Sequence, residues 1–249
     1  MRKVYGLIGY PLTHSFSKKY FEEKFLSEGI KDSEYRNFEI KCIEDFPAVF
    51  TQLSELLGLN VTIPYKEVVI PYLDEIEKDA QNIGAVNTIK IISKRGTPYL
   101  IGYNTDIDGF KSSLRDVWDK KYNKALILGS GGASKAILYV LQSLGVETTI
   151  VSRHNTGDNF LSYAQIDASI IQKNLLIINT TPVGMYPNIE AFPDIPYGSI
   201  TSNHLLFDLI YNPDETEFLK RGKRMGALTM NGYQMLVGQA EKAWSLWNS

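Results

Sequence analysis

A single cysteine, Cys42, stands among 249 residues, so no internal disulfide can staple this chain. Long apolar runs are also missing, and none approaches the roughly 20 residues that a membrane-spanning helix needs. The opening Met1-Arg2-Lys3-Val4-Tyr5-Gly6 runs into Tyr10 and Pro11 before any signal-type apolar region develops, which predicts a cytoplasmic address. Charge of one sign is scarce. Lys and Arg number 26 against 28 Asp and Glu, and a net charge of -2 gives no global attraction to nucleic acid or anionic lipid. Internal repeats and low-complexity segments are absent too. The expected partners are therefore small molecules, not nucleic acid or membrane. The length admits one large α/β unit or two ordinary domains, and composition does not choose between them.

What is present is an alternation of short apolar runs and amphipathic stretches. Val4 to Ile8 reads as a buried strand, and Ser17 to Glu28 as a helix stopped by Gly29. Tyr35 to Ile40 predicts a second strand, Glu44 to Leu57 a helix closed by Gly58, and Leu59 to Ile63 a third strand ended by Pro64. Helices between strands imply crossovers and a mainly parallel sheet. Asp74 to Asn82 predicts a helix ending at Gly84, and a hairpin follows around Lys94-Arg95-Gly96. From Gly109 the pattern restarts, with a helix to Trp118, then strands at 124–128, 148–151, 175–178 and 205–208, and a last helix over 232–247. A domain boundary is expected near Asp108.

Leu126-Ile127-Leu128-Gly129-Ser130-Gly131-Gly132-Ala133-Ser134 sets glycines directly between a buried strand and a helix. Glycine allows the tight turn and lets backbone approach a pyrophosphate, whose charge then rests on free amides at the positive helix end. Ser134 fills the third glycine position and is small enough for close packing. A dinucleotide-binding domain for NAD normally ends its next strand with an acidic residue that meets the ribose. Here that place reads Val151-Ser152-Arg153-His154, and a guanidinium can hold a 2′-phosphate in a forked contact, which favours NADP(H).

Polar residues cluster in the first half as well. Ser15 and Ser17 precede or open a helix, where hydroxyls and free amides suit a carboxylate, although a lone serine there is also an ordinary cap. In Asn60-Val61-Thr62-Ile63-Pro64-Tyr65-Lys66, alternation sends Asn60 and Thr62 to one face and Val61 and Ile63 to the other. Lys66 can exchange protons in a carbonyl reduction if a cleft and a carboxylate hold it, yet most lysines are simply solvated. Asn87 and Asp106, taken singly, are turn formers.

Taken together these segments resemble the shikimate dehydrogenase family over nearly the whole chain. The likeness runs from Gly9-Tyr10-Pro11-Leu12-Thr13-His14-Ser15-Phe16-Ser17 through Asn60 to Lys66, Gly84-Ala85-Val86-Asn87-Thr88, Asn104-Thr105-Asp106 and the glycine turn. It continues in Asn179-Thr180-Thr181-Pro182-Val183-Gly184-Met185, Asp208-Leu209-Ile210-Tyr211-Asn212-Pro213 and Gly232-Tyr233-Gln234-Met235-Leu236-Val237-Gly238-Gln239-Ala240. The resemblance implies an α/β protein of two domains. Residues 1–108 with 231–249 would form a substrate-binding domain with a mainly parallel sheet, and 109–230 a Rossmann-like NADP domain.

The implied activity is the reversible NADPH-dependent reduction of 3-dehydroshikimate to shikimate, a step towards chorismate and the aromatic amino acids. Lys66 and Asp106 would be the catalytic pair, and Ser15, Ser17 and Tyr211 would hold the substrate carboxylate. Asn60, Thr62, Asn87 and Gln239 would meet ring hydroxyls, as would Asp106. Gly129, Gly131, Gly132, Ala133, Ser152, Arg153, Thr180 and Gly232 would line NADP. No metal is implied, and the chain would act as a monomer or homodimer. It departs from the family pattern at Lys18, where proline is common, at Ser152-Arg153-His154, where Asn-Arg-Thr is common, and in trimmed loops around Asn155 to Asn159. Two alternatives share this scaffold: a dehydrogenase for quinate or an aminated analogue, and a non-catalytic NADP sensor.

Overall fold

A computed structural model of the chain describes residues 2–12, 16–51, 55–153, 157 and 159–249. It divides into two compact units, Met1–Thr105 with Ala240–Ser249, and Asp106–Gln239. Among the described residues no helix is long and apolar enough to cross a membrane.

In the first unit the elements are β1 (Lys3–Gly9), α1 (Phe16–Ser27), β2 (Ser33–Glu39), α2 (Ala48–Thr51), β3 (Leu56–Val61), β4 (Glu75–Ile76), α3 (Lys78–Ile83), β5 (Thr88–Lys94) and β6 (Thr97–Tyr103). They form one sheet in the order β2-β1-β3-β5-β6-β4. The pairs β1–β2, β1–β3 and β4–β6 are parallel, and β5 runs antiparallel to both neighbours. Both faces of this sheet are covered, which is why β1 is apolar without a break. Its alternate residues Val4 and Ile8 join Leu59, Val61 and Ile89 in one core, while Tyr5 and Leu7 join Phe21, Phe25, Tyr35 and Trp247 in another. Each such fully buried side chain stabilises the fold by about 1.5–3 kcal/mol.

The helix expected over 44–57 is not formed as one piece: α2 covers only Ala48–Thr51, and β3 already begins at Leu56. Pairing of Leu56 with Val4 captures residues whose spacing also fits a helix, so the sheet overrides local pattern. Because β3 ends at Val61, Ile63 lies beyond the alternation and is 69% exposed. The helix expected over 74–82 is also shorter. Asp74 accepts from the backbone of Leu100 and β4 joins β6, so α3 starts only at Lys78, capped by Glu77 and closed by left-handed Gly84. The hairpin of β5 and β6 turns at Arg95-Gly96, as its sequence suggests.

The second unit holds α4 (Asp106–Leu114), β7 (Lys124–Leu128), α5 (Gly132–Ser143), β8 (Glu147–Val151), β9 (Phe160–Leu161), α6 (Ala168–Lys173), β10 (Leu176–Asn179), β11 (Leu205–Asp208), α7 (Glu217–Arg224), β12 (Leu228–Met230) and the start of α8 (Tyr233–Trp247). Its sheet is wholly parallel, in the order β9-β8-β7-β10-β11-β12. The strand order reverses between β7 and β10, and ligands of doubly wound sheets bind at that switch point, beyond the carboxyl ends. The helix expected from Gly109 to Trp118 instead spans Asp106–Leu114, so Asp106 is its first residue.

Candidate active site

In the first unit the chain brings together polar side chains from β2, from the end of β3 and from the start of β5. Asn60, the penultimate residue of β3, is 4% exposed and faces the same side as Tyr35. Its Oδ1 accepts from the Tyr35 hydroxyl at 2.7 Å, and its Nδ2 donates to Thr88 Oγ1 at 3.2 Å and to the Asn87 carbonyl at 3.5 Å. Thr88 passes a hydrogen bond on to Asn87 Oδ1 at 3.1 Å, and the same oxygen accepts from the Thr105 amide at 2.7 Å. Burial pushes the Tyr35 hydroxyl well above the ordinary tyrosine range. Ser17 is half-buried in the first turn of α1.

Asn60 and Asn87, together with Tyr35 and Thr88, thus share one network. Ser15 lies outside the described residues. Thr62 is half-buried just past β3, with its amide donating to Ile8 at 2.9 Å. Lys66 is half-buried, and its carbonyl accepts from Val86 at 2.7 Å, so the lysine backbone is fixed to the segment that carries Asn87. Thr105 is anchored by Asn87, and Asp106 follows it directly.

In the second unit Asp106 is 5% exposed at the head of α4. That helix meets α8 at Gly109 and Gly238, where a β-carbon on either would strike backbone, and Gln239 sits at this crossing. Around the switch point, Gly129 has φ +112 and lies against Thr180, so any side chain there would collide. Thr180 donates to the Leu128 carbonyl through both its amide, at 2.9 Å, and its hydroxyl, at 2.8 Å. Gly131 caps α5 and has open space in front of it, as a cradle for a phosphate requires. Ser134 is buried, and its hydroxyl donates to the Gly131 carbonyl at 2.5 Å. The amide of Gly129 donates to Val151 at 2.8 Å, and the Ser130 and Ser152 hydroxyls lie 3.1 Å apart, which stitches the turn to the end of β8 where exposed Arg153 begins. Gly132 and Ala133 open α5, and Gly232 is packed against the Leu209 carbonyl just before α8. These residues fit a dinucleotide. Among the described residues no group of three His, Cys, Asp or Glu could hold a metal ion.

Reasoning from sequence assigned no role to Tyr35, or to a second network in this unit. Asp208 ends β11 fully buried and accepts from Asn179 Nδ2 at 3.0 Å, the Ile210 amide at 3.0 Å and the Thr216 hydroxyl at 2.6 Å. Burial raises its pKa to about 7 despite those three donors. Asn179 in turn accepts from the amide and hydroxyl of Thr181, and Thr216 caps α7. The loops bearing Thr180 and Tyr211 are therefore tied to one carboxyl group. A polar residue closing an otherwise apolar strand is the signal that marks such a role, and both Asn179 and Asp208 carry it.

Residues 7–89 match the family model described as the shikimate dehydrogenase substrate binding domain. The chain is 39% identical to the shikimate dehydrogenase (NADP(+)) of Methanosphaera stadtmanae, covering 98% of this chain and 90% of that one. It is similar to the crystal structure of shikimate dehydrogenase 1 from Peptoclostridium difficile, with a TM-score of 0.84 and 39% identity over 99% of this chain and 91% of that one. The shikimate 5-dehydrogenase of Thermus thermophilus, solved in complex with NADP(H) and shikimate, gives a TM-score of 0.85 at 28% identity, over 98% and 93% of the two chains.

Proposed function

Because the chain belongs to the shikimate dehydrogenase family, we propose that it catalyses the reversible NADPH-dependent reduction of 3-dehydroshikimate to shikimate, a step towards chorismate and the aromatic amino acids. The observation that carries this reading is the network of Tyr35, Asn60, Thr88 and Asn87, a row of neutral donors and acceptors suited to a polyhydroxylated ring. Residues 1–108 with 231–249 hold the substrate, and 109–230 hold NADP. Ser15, Ser17 and Tyr211 take the carboxylate, while Asn60, Thr62, Asn87 and Gln239 take ring hydroxyls. The relative from Thermus thermophilus, solved with both NADP(H) and shikimate, supports this ligand pair.

NADPH, when bound, supplies the hydride to the ring carbonyl carbon. Lys66 gives a proton to the oxygen on which charge develops, and removes it in the reverse direction. Asp106 is assigned as its partner in the catalytic pair. Gly129, Gly131, Gly132 and Ala133 would let the chain approach a pyrophosphate at the head of α5, Thr180, Gly232 and Ser152 would line the cofactor, and Arg153 would hold its 2′-phosphate. The enzyme is expected in the cytoplasm, as a monomer or homodimer.

The test follows NADPH absorbance on addition of 3-dehydroshikimate, repeated with NADH and with 3-dehydroquinate. Rapid oxidation of NADPH with 3-dehydroshikimate, and at least about tenfold lower kcat/KM in each substituted assay, is expected. A preference for 3-dehydroquinate would move the assignment to the quinate branch, and no oxidation with either acid would end it.

A further inference from the structure

The Ala85–Val86 peptide is held along both of its edges. On one, Asn104 Nδ2 donates to the Ala85 carbonyl at 2.9 Å, and on the other the Val86 amide donates to the Lys66 carbonyl at 2.7 Å. The C=O and N–H of a trans peptide point in opposite directions, so these bonds run head to tail from the Asn104 side chain to the Lys66 backbone, and each polarises the next. Other ties between the same segments do not use this route. The Asn87 amide donates to the Tyr103 carbonyl at 3.0 Å, and Asn87 Oδ1 accepts from the Thr105 amide at 2.7 Å. Residues 103–105 therefore stay bound to 85–87 without the Asn104 side chain.

Asn104 itself is 4% exposed, and its amide is only partly used. A carbonyl oxygen accepts and cannot donate, which fixes the side-chain nitrogen towards Ala85 and leaves Oδ1 as the outer atom. Among the described residues nothing donates to that buried oxygen. An unpaired buried acceptor costs about as much stability as the bond to Ala85 returns, so this amide contributes little to the fold. We propose that Asn104 is a positioning residue for the proton transfer, fixing the backbone of Lys66 through the Ala85–Val86 peptide. This rests on the role assigned to Lys66 above. The effect passes through the lysine and through no ligand.

Asn104→Ala removes the donated N–H and leaves the Asn87 ties in place. The kcat for shikimate oxidation is expected to fall about tenfold, with the KM for shikimate and for NADP+ within about twofold of the parent chain. The midpoint of urea unfolding should not move. Exchange of the Val86 amide proton should quicken about tenfold, and that of Asn87 should not. The deciding readout is a cycle with Lys66→Ala. Adding Asn104→Ala to Lys66→Ala should lower kcat by less than about twofold more, whereas a general loosening of the fold would cost the same factor in both backgrounds.

Retention of kcat in Asn104→Ala, an unaltered Val86 exchange rate, or an equal loss in both backgrounds overturns the proposal. Should Asn104→Ala fail to fold, Asn104→Asp keeps the shape and lacks the N–H when ionised, and the same measurements on it decide. Failure of both to fold would make Asn104 a structural residue and overturn the proposal as well. A Lys66→Ala chain with kcat retained would remove the proton donor itself, and the role of Asn104 falls with it. Loss of kcat in Lys66→Ala beside an unaffected Asn104→Ala leaves that donor standing and removes only Asn104.

Discussion

The two units solve the same problem, holding loops in place with buried polar groups, by different chemistry. The first uses neutral hydroxyls and amides, Tyr35, Asn60, Thr88 and Asn87, linked head to tail. The second gathers three donors on one buried carboxyl group, Asp208, whose pKa burial raises to about 7. A neutral network costs little desolvation and presents the same face at any ordinary pH. A buried carboxyl that titrates near neutrality makes its loops sensitive to pH. The comparison teaches that the first network keeps one state across ordinary pH, whereas the second changes with one protonation.

The largest break in this picture should come from Lys66, whose backbone is tied to the segment that carries Asn87. Lys66→Ala is expected to lower kcat about 10³-fold while leaving the KM for shikimate near its parent value, because the proton transfer and not the ring contacts is removed. Steady-state kinetics check this. A raised KM with kcat retained would make Lys66 a binding residue.

A smaller effect sharpens the contrast itself. The folded value of Asp208, about 7, is raised above its ordinary 3.8, so its contribution to stability is fully present below 3.8 and is lost as pH rises through about 7. Asp208→Asn cannot ionise. Between about pH 5 and 8 the parent chain should therefore lose roughly 2–3 kcal/mol relative to this variant, measured by urea unfolding. The cost of Asn60→Ala, in the neutral network, should be the same at both values. Equal pH profiles for the parent chain and Asp208→Asn would remove the distinction between the units.

Much of this was legible in the residues. The glycine turn before α5, the run Lys124–Leu128, the stops at Gly29 and Gly84 and the hairpin at Arg95-Gly96 are local signals, and the structure places them where the pattern put them. The failures lie where a distant strand decides. Leu56 pairs with Val4 and Glu75 with Ile101, and these pairings consume residues that local spacing gives to helices. The role of Tyr35 was hidden for a related reason. An aromatic residue on a strand reads as core, and here it is core, while its hydroxyl finds Asn60 only once β1, β2 and β3 lie side by side. Asp208 was visible as part of a motif, but its burial and its three donors are products of the fold.

The most direct test of the division of labour is a calorimetric titration of shikimate, and separately of NADPH, into the parent chain, Asn60→Ala and Arg153→Ala. Asn60→Ala is predicted to weaken shikimate about tenfold and to leave NADPH unchanged, with Arg153→Ala doing the opposite. Equal weakening of both ligands by either variant, or the reverse pattern, would contradict the assignment of substrate to the neutral network and cofactor to the glycine turn.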